Sequence, residues 1–134
     1  MGSSYKDLLV WQKGIDFVDH VYSATATFPK NEVFGIASQM RRAAVSVASN
    51  IAEGSARHSR RDFRRFLRQS RGSIAEIETQ VIISARRKYV SPREERQLLS
   101  ESAEVDRMLS GLISSLEKDI AVEETPEVTT RDDD

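Results

Sequence analysis

Residues 39–78 read QMRRAAVSVASNIAEGSARHSRRDFRRFLRQSRGSIAEIE, two helical patterns joined by a break from Gly54 to Ser59. On the first, Ile36, Met40, Ala44, Val47 and Ile51 recur at helical spacing, an apolar stripe that needs a partner surface. A polar stripe runs beside it through Gln39, Ser46, Asn50 and Glu53. On the second, Phe63, Leu67, Ser70, Ile74, Ile77, Val81 and Ser84 form the stripe, with Phe66 alongside. Ser70, Ser73, Glu76 and Gln80 make a polar line matching the one on the first pattern. The two patterns therefore read as adjacent helices, with Gly54 at the left-handed position that ends the first. Ser59 caps the second, with Asp62 reaching back to it.

Outward from this pair, Asp7 is the expected N-cap of an earlier helix. That helix carries two apolar stripes. One is Leu8, Trp11, Ile15, Val18, Tyr22 and Thr25; the other is Val10, Phe17, Val21 and Phe28. It ends at Phe28-Pro29, because a residue before proline avoids the helical region. The next helix starts near Glu32 to Phe34 and ends around Glu53. Downstream, Ser91-Pro92-Arg93-Glu94 supplies an N-cap, a proline at the first helical position and a glutamate at the third. Leu98, Val105, Leu109, Leu112 and Leu116 line the last helix, flanked by Leu99, Ile113 and Ile120. Four helices on short connections predict an all-α fold, an antiparallel up-down-up-down four-helix bundle over residues 5–120. Residues 1–4 are set outside it as a disordered or extraneous start. Residues 121–134, acidic and poor in large apolar groups, are expected to form a disordered tail.

The 134 residues fit one domain, 39% hydrophobic and 31% charged. No apolar run reaches the length of a membrane span, and no secretory signal opens the chain. Without cysteine there are no disulfides, thiolate chemistry or cysteine zinc sites, so a cytoplasmic location is the default expectation. The net charge of −1 conceals a split, since residues 119–134 carry −6 and the rest +5. That asymmetry points towards an anionic partner.

Catalysis finds little support. His20 and His58 lack a metal ligand at i+3 or i+4, the glycines Gly54 and Gly72 stand apart, and Glu76 and Glu78 point to different helix faces. No metal, no cofactor and no enzymatic activity are expected. The polar residues Gln39, Arg41, Arg42, Ser46, Asn50, Glu53, Ser73 and Glu76 read as a network that sets helix register, with Arg41 or Arg42 neutralising a glutamate. The arginine run is Arg57, Arg60, Arg61, Arg64, Arg65, Arg68 and Arg71, with Asp62 as the single acid among them. On a helix it forms a basic strip roughly 15–20 Å long. It is either a solvated face paired with acids from elsewhere in the chain, or a site for a polyanion. Like charges at this spacing repel, and guanidinium forks onto phosphate, so nucleic acid is the favoured partner. Base-specific readout is not expected, because no aromatic side chains are interleaved for stacking.

The segments DLLVWQKG, FPKNEVFGIASQMRRAAVSVASNIAEG and RRFLRQSRGSIAEIETQ resemble the bacterial 23S rRNA intervening-sequence proteins, a four-helix-bundle family. The resemblance covers about residues 5 to 118. It implies an up-down bundle assembling into a homopentameric ring, and no settled biochemical activity. Gln39, Arg41, Arg42, Ser46, Asn50, Glu53, Gly54, Ser73 and Glu76 fall on the family's characteristic positions. Accessory proteins of diversity-generating retroelements share this fold and bind a reverse transcriptase and nucleic acid. The expected function is thus a non-enzymatic oligomer binding structured RNA or other nucleic acid through the arginine face, largely without sequence preference. The alternative is a protein-interaction adaptor docking on an enzyme such as a reverse transcriptase.

Overall fold

Periodicity becomes geometry along four helices, α1 (Leu9–Thr25), α2 (Ile36–Ser55), α3 (Arg60–Arg86) and α4 (Pro92–Glu124). The computed structural model describes residues 4–124. Each helix packs on the next and α4 closes back onto α1, while the backbones of the diagonal pairs α1–α3 and α2–α4 stay further apart across the shared core. That is the expected antiparallel up-down four-helix bundle. The most extensive pairing is α2 with α3, and the slightest of the four is α1 with α4.

Met40, Ala44, Val47 and Ile51 of α2 face Leu67, Ile74, Ile77 and Val81 of α3 in a core that Leu98, Val105, Leu109 and Leu116 of α4 complete. On α4, Ile113 is buried and Leu112 only packs at the edge, the reverse of the expected order. On α1, Val10, Phe17, Val21 and the following Phe28 enter the core. The other stripe leans outward, leaving Ile15 and Tyr22 exposed. Two small buried residues, Gly14 and Ala24, sit on the inward side of α1. Gly14 lets α2 come close, with Ala48 within contact distance, and Ala24 lines a hollow with Glu94, Gln97 and Leu98 of α4.

The helix ends follow local chemistry, with three corrections. Asp7 is not the cap of α1. It closes a short 3-10 turn (Tyr5–Asp7) in a reciprocal capping box with Ser4, so Ser4 belongs to the folded part, and Leu8 precedes α1 with no side-chain cap. A second 3-10 turn (Lys30–Glu32) intervenes before α2, whose N-cap is Gly35. Finally, α4 runs through Ala121 to Glu124, past the expected start of the tail, and residues 125–134 lie outside the described residues. The box at Ser91 is as expected: Ser91 Oγ accepts from Glu94 N–H at 3.0 Å, and the Glu94 carboxylate accepts from Ser91 N–H at 2.8 Å. Ser59 caps α3 by accepting from Asp62 N–H, but the Asp62 carboxylate turns to Arg65 instead of reaching back.

Gly54 serves packing and not a left-handed turn. It lies inside α2, and no glycine among the described residues has positive φ. A Cβ on Gly54 would fall 2.6 Å from Phe66 Cβ and 3.0 Å from Phe63 Cδ1, so α3 crosses there at the closest distance a side chain would forbid. The left-handed position is taken by Lys88, with φ of 63°, at the end of α3. Tyr89 N–H donates to Ser84 O at 2.8 Å and Lys88 N–H to Ala85 O at 3.0 Å, the paired bonds of a Schellman motif.

Two stability changes of opposite sign follow, both read by urea unfolding. Gly54→Ala gains helix propensity but forces Phe66 away, and should lower stability by about 1–3 kcal/mol; a neutral outcome would mean that α3 yields at no cost. Lys88→Gly removes the left-handed penalty and should raise stability by up to about 1 kcal/mol, while a loss would place the strain elsewhere.

Candidate functional site

The polar residues of α2 and α3 do meet, but along the rim of the helix pair more than in its interior. Ser70, fully buried, donates to the Val47 carbonyl at 2.8 Å across the interface. At the rim, Ser73 Oγ lies 3.0 Å from Ser46 Oγ, and Asn50 Nδ2 donates to both the Ser46 carbonyl and its hydroxyl at 2.9 Å. Gln80, buried, reaches Glu76 at 3.4 Å. Gln39 is exposed and takes no part in these bonds. Asn50 is thus half-buried in a small hydroxyl–amide cluster, and Glu53 is exposed. Such a cluster ties the two helices together through side-chain hydrogen bonds.

The assignment of Arg41 or Arg42 to a glutamate is corrected. Arg41 Nε donates to Thr25 Oγ1 at 2.8 Å, and its guanidinium lies 4.7 Å from the centre of the Tyr22 ring. Arg42 is exposed and forms no ion pair among the described residues. Glu53 instead accepts from Arg57, one turn ahead, at 2.9 Å.

Every arginine of the run has a carboxylate beside it. On the strip's own side, Arg57 pairs with Glu53 and Arg65 with Asp62. The other five face α4. Arg60 meets Asp119 and Glu123, and Arg61 meets Glu124. Arg64 and Arg68 share Glu117, at 4.0 and 2.5 Å. Arg71 forks onto Asp106 through Nε at 2.9 Å and Nη2 at 3.2 Å, a contact that holds its guanidinium pKa above the ordinary value. Phe66, buried between turns, carries the guanidinium groups of Arg57 and Arg65 on its ring, at 4.9 and 4.5 Å from the centroid. Contrary to the expectation that no aromatic is interleaved, Phe63 and Phe66 lie inside the run, and Phe66 positions arginines.

Seven guanidinium groups thus stand against seven carboxylates, and the strip has little net charge of its own. Of the two readings drawn from the sequence, pairing with acids elsewhere in the chain describes this geometry. A signal was available. Glu117 and Glu124 are seven apart on α4, as Arg61 and Arg68 are on α3, which is the match that two antiparallel helices need. Most of these side chains remain about half exposed, so each pair contributes on the order of 0–1 kcal/mol and exchanges readily with solvent ions.

A second surface went unread. Tyr22, Val33, Phe34, Ser38, Arg41, Arg42, Val45 and Ser46 line an open hollow beside the N-terminal half of α2. Phe34 is 97% exposed, with Val33 and Val45 about half exposed. The hint in the sequence was that Val33-Phe34 falls between helices, where no core stripe claims it. The histidines remain apart: His20 Nδ1 lies 2.6 Å from Glu101 on α4, and His58 is exposed in the α2–α3 connection. Among the described residues no group of acids and histidines has the arrangement to hold a metal ion, and no helix is long and apolar enough to cross a membrane.

The sequence profile described as "23S rRNA-intervening sequence protein" matches residues 6–111. No match emerges among curated proteins. Among solved structures the bundle is similar to a protein of unknown function from the S23 ribosomal protein family of Bacteroides thetaiotaomicron. The TM-score is 0.74 at 21% identity, over 79% of this chain and 96% of that one, a likeness of fold. With the profile spanning most of the bundle, from the turn before α1 into the second half of α4, the chain belongs to the 23S rRNA-intervening sequence protein family.

Proposed function

We propose that the protein is a non-catalytic assembly module whose copies associate through the apolar hollow centred on Phe34. The observation that carries this reading is the exposure of a phenylalanine at 97%, joined by Val33, Val45 and Tyr22 in one patch. Contiguous exposed apolar groups of this kind mark interaction surfaces. A second apolar pair, Ile82 and Ile83, is exposed on α3. A head-to-tail contact, the type that closes rings, uses two different patches of one chain. The homopentamer implied by the family resemblance is such a ring. The non-catalytic part of the reading is supported by the two histidines, one tied to Glu101 and the other solvated.

A second reading is favoured by a separate observation. The arginine strip binds structured RNA or another nucleic acid through its backbone, because its guanidinium groups are exposed, held outward by Phe66 and α4, and engaged only in weak pairs. Multiplied around a ring, several weak phosphate contacts become one avid site.

Native mass measurement tests the first reading. The wild-type chain should run as an oligomer, and the double variant Phe34→Asp, Val45→Asp as a monomer with unchanged helical circular dichroism, since both side chains are exposed. An oligomer that survives both changes would move the interface elsewhere. A monomeric wild type would end self-association and make a heterologous protein, such as a reverse transcriptase, the occupant of that face.

A further inference from the structure

The end of α4 and the start of α3 are each charged against their own helix. A helix C-terminus repels negative charge and an N-terminus repels positive charge, because of the aligned peptide dipoles. Yet the last two turns of α4 hold Glu117, Asp119, Glu123 and Glu124, with no basic residue in the final turn. The first turn of α3 opens on Arg60 and Arg61. Each end is unfavourable alone, and each is compensated by the other through the pairs Arg60–Asp119, Arg60–Glu123 and Arg61–Glu124. Apolar packing at this end of α4 stops at Ile120, and Val122 beyond it is 75% exposed. So the final turn buries no apolar side chain of its own among the described residues, and charge is its main tie to α3.

We propose that this segment is an internal polyanion: Glu117, Asp119, Glu123 and Glu124 occupy Arg60, Arg61, Arg64 and Arg68 as the phosphates of a nucleic-acid backbone would, and keep the strip closed until such a backbone displaces them. The inference rests on the second reading above, that the strip is a nucleic-acid site. A phosphodiester backbone is a fitting competitor, since it offers anionic oxygens at repeated spacing, and the N-terminus of α3 favours an anion in its own right. Displacement removes the α3 penalty and restores the α4 one, so the final turn of α4, beyond Ile120, frays as the ligand binds. The released segment ends beside the site it vacated, and rebinds when the ligand leaves. A zipper with a purely structural role has a different signature: loss of its acids lowers stability and leaves the affinity for anions unchanged.

Fluorescence anisotropy with a labelled RNA hairpin of arbitrary sequence, on the full chain from about 50 to 200 mM salt, separates these cases. The variant Glu117→Gln, Asp119→Asn, Glu123→Gln, Glu124→Gln should bind at least about tenfold more tightly than wild type, with a steeper dependence on salt. Adding Arg60→Ala, Arg61→Ala, Arg64→Ala and Arg68→Ala should reverse the gain. A control with the same change in net charge, Asp16→Asn, Asp19→Asn, Glu95→Gln and Glu104→Gln, should leave affinity near wild type. Hydrogen exchange on wild type with saturating RNA should show residues 121–124 losing protection. Equal affinity of wild type and the first variant, or an equal gain in the control, would overturn the latch while the strip stays a site. No RNA binding by either protein at the lowest salt would overturn the strip as a site, and the latch with it.

Discussion

The approach of α2 to α3 is the constraint on which the molecule is built. At Gly54 the gap admits a hydrogen atom but not a methyl group, and the Phe66 Cβ fills what is left. From that point the two helices run together past Ala44, Val47 and Ser70, where a buried hydroxyl spends its hydrogen bond on the carbonyl of the facing helix. Small residues on both sides allow the backbones close, and close backbones turn weak dispersion into most of the packing energy. A β-carbon or a missing hydroxyl along this seam costs more than any of the surface ion pairs.

Once this seam sets the rotation of α3, the direction of its charges is decided too. Leu67, Ile74 and Ile77 turn to the core, and most of the arginines turn to the side that α4 covers. Their repulsion along one helix is relieved by carboxylates 35 to 63 residues further on, and those carboxylates gain the same relief. Because the pairs are half exposed, water and salt screen them, and the fold does not hang on them. They set a potential and a local poise at the end of the bundle. The apolar energy has been spent elsewhere, apart from Phe34 and its neighbours, which remain outside the core.

Several features were legible from residue order because they depend on neighbours within one or two turns. The stripes of α2, α3 and α4 and the capping box at Ser91 are of this kind, whereas α1 ends at Thr25, before the expected stop at Phe28-Pro29. Where two local answers were equally good, order alone did not choose. Both stripes of α1 are apolar, and Phe17 rather than Ile15 went inward, on the side where Gly14 admits α2. A glycine near a helix end fits a left-handed cap as well as a close crossing, and the partner at Gly54 is invisible until α3 is laid across it. Lys88 in the left-handed region is the converse, a site where the turn demanded the conformation and the residue is not the one that favours it.

What the amino-acid order determined was the number of helices, the N-caps of α3 and α4 and the apolar face of three helices, since hydrophobic period and hydrogen-bonding end groups act over a few residues. What only the tertiary structure decided was the company each charge keeps. Seven arginines crowded into fifteen positions look like an open basic face when read along the chain. Folded, five of them look into acids on α4, because electrostatic partners are chosen by distance in space, and antiparallel packing brings distant turns to within hydrogen-bond reach.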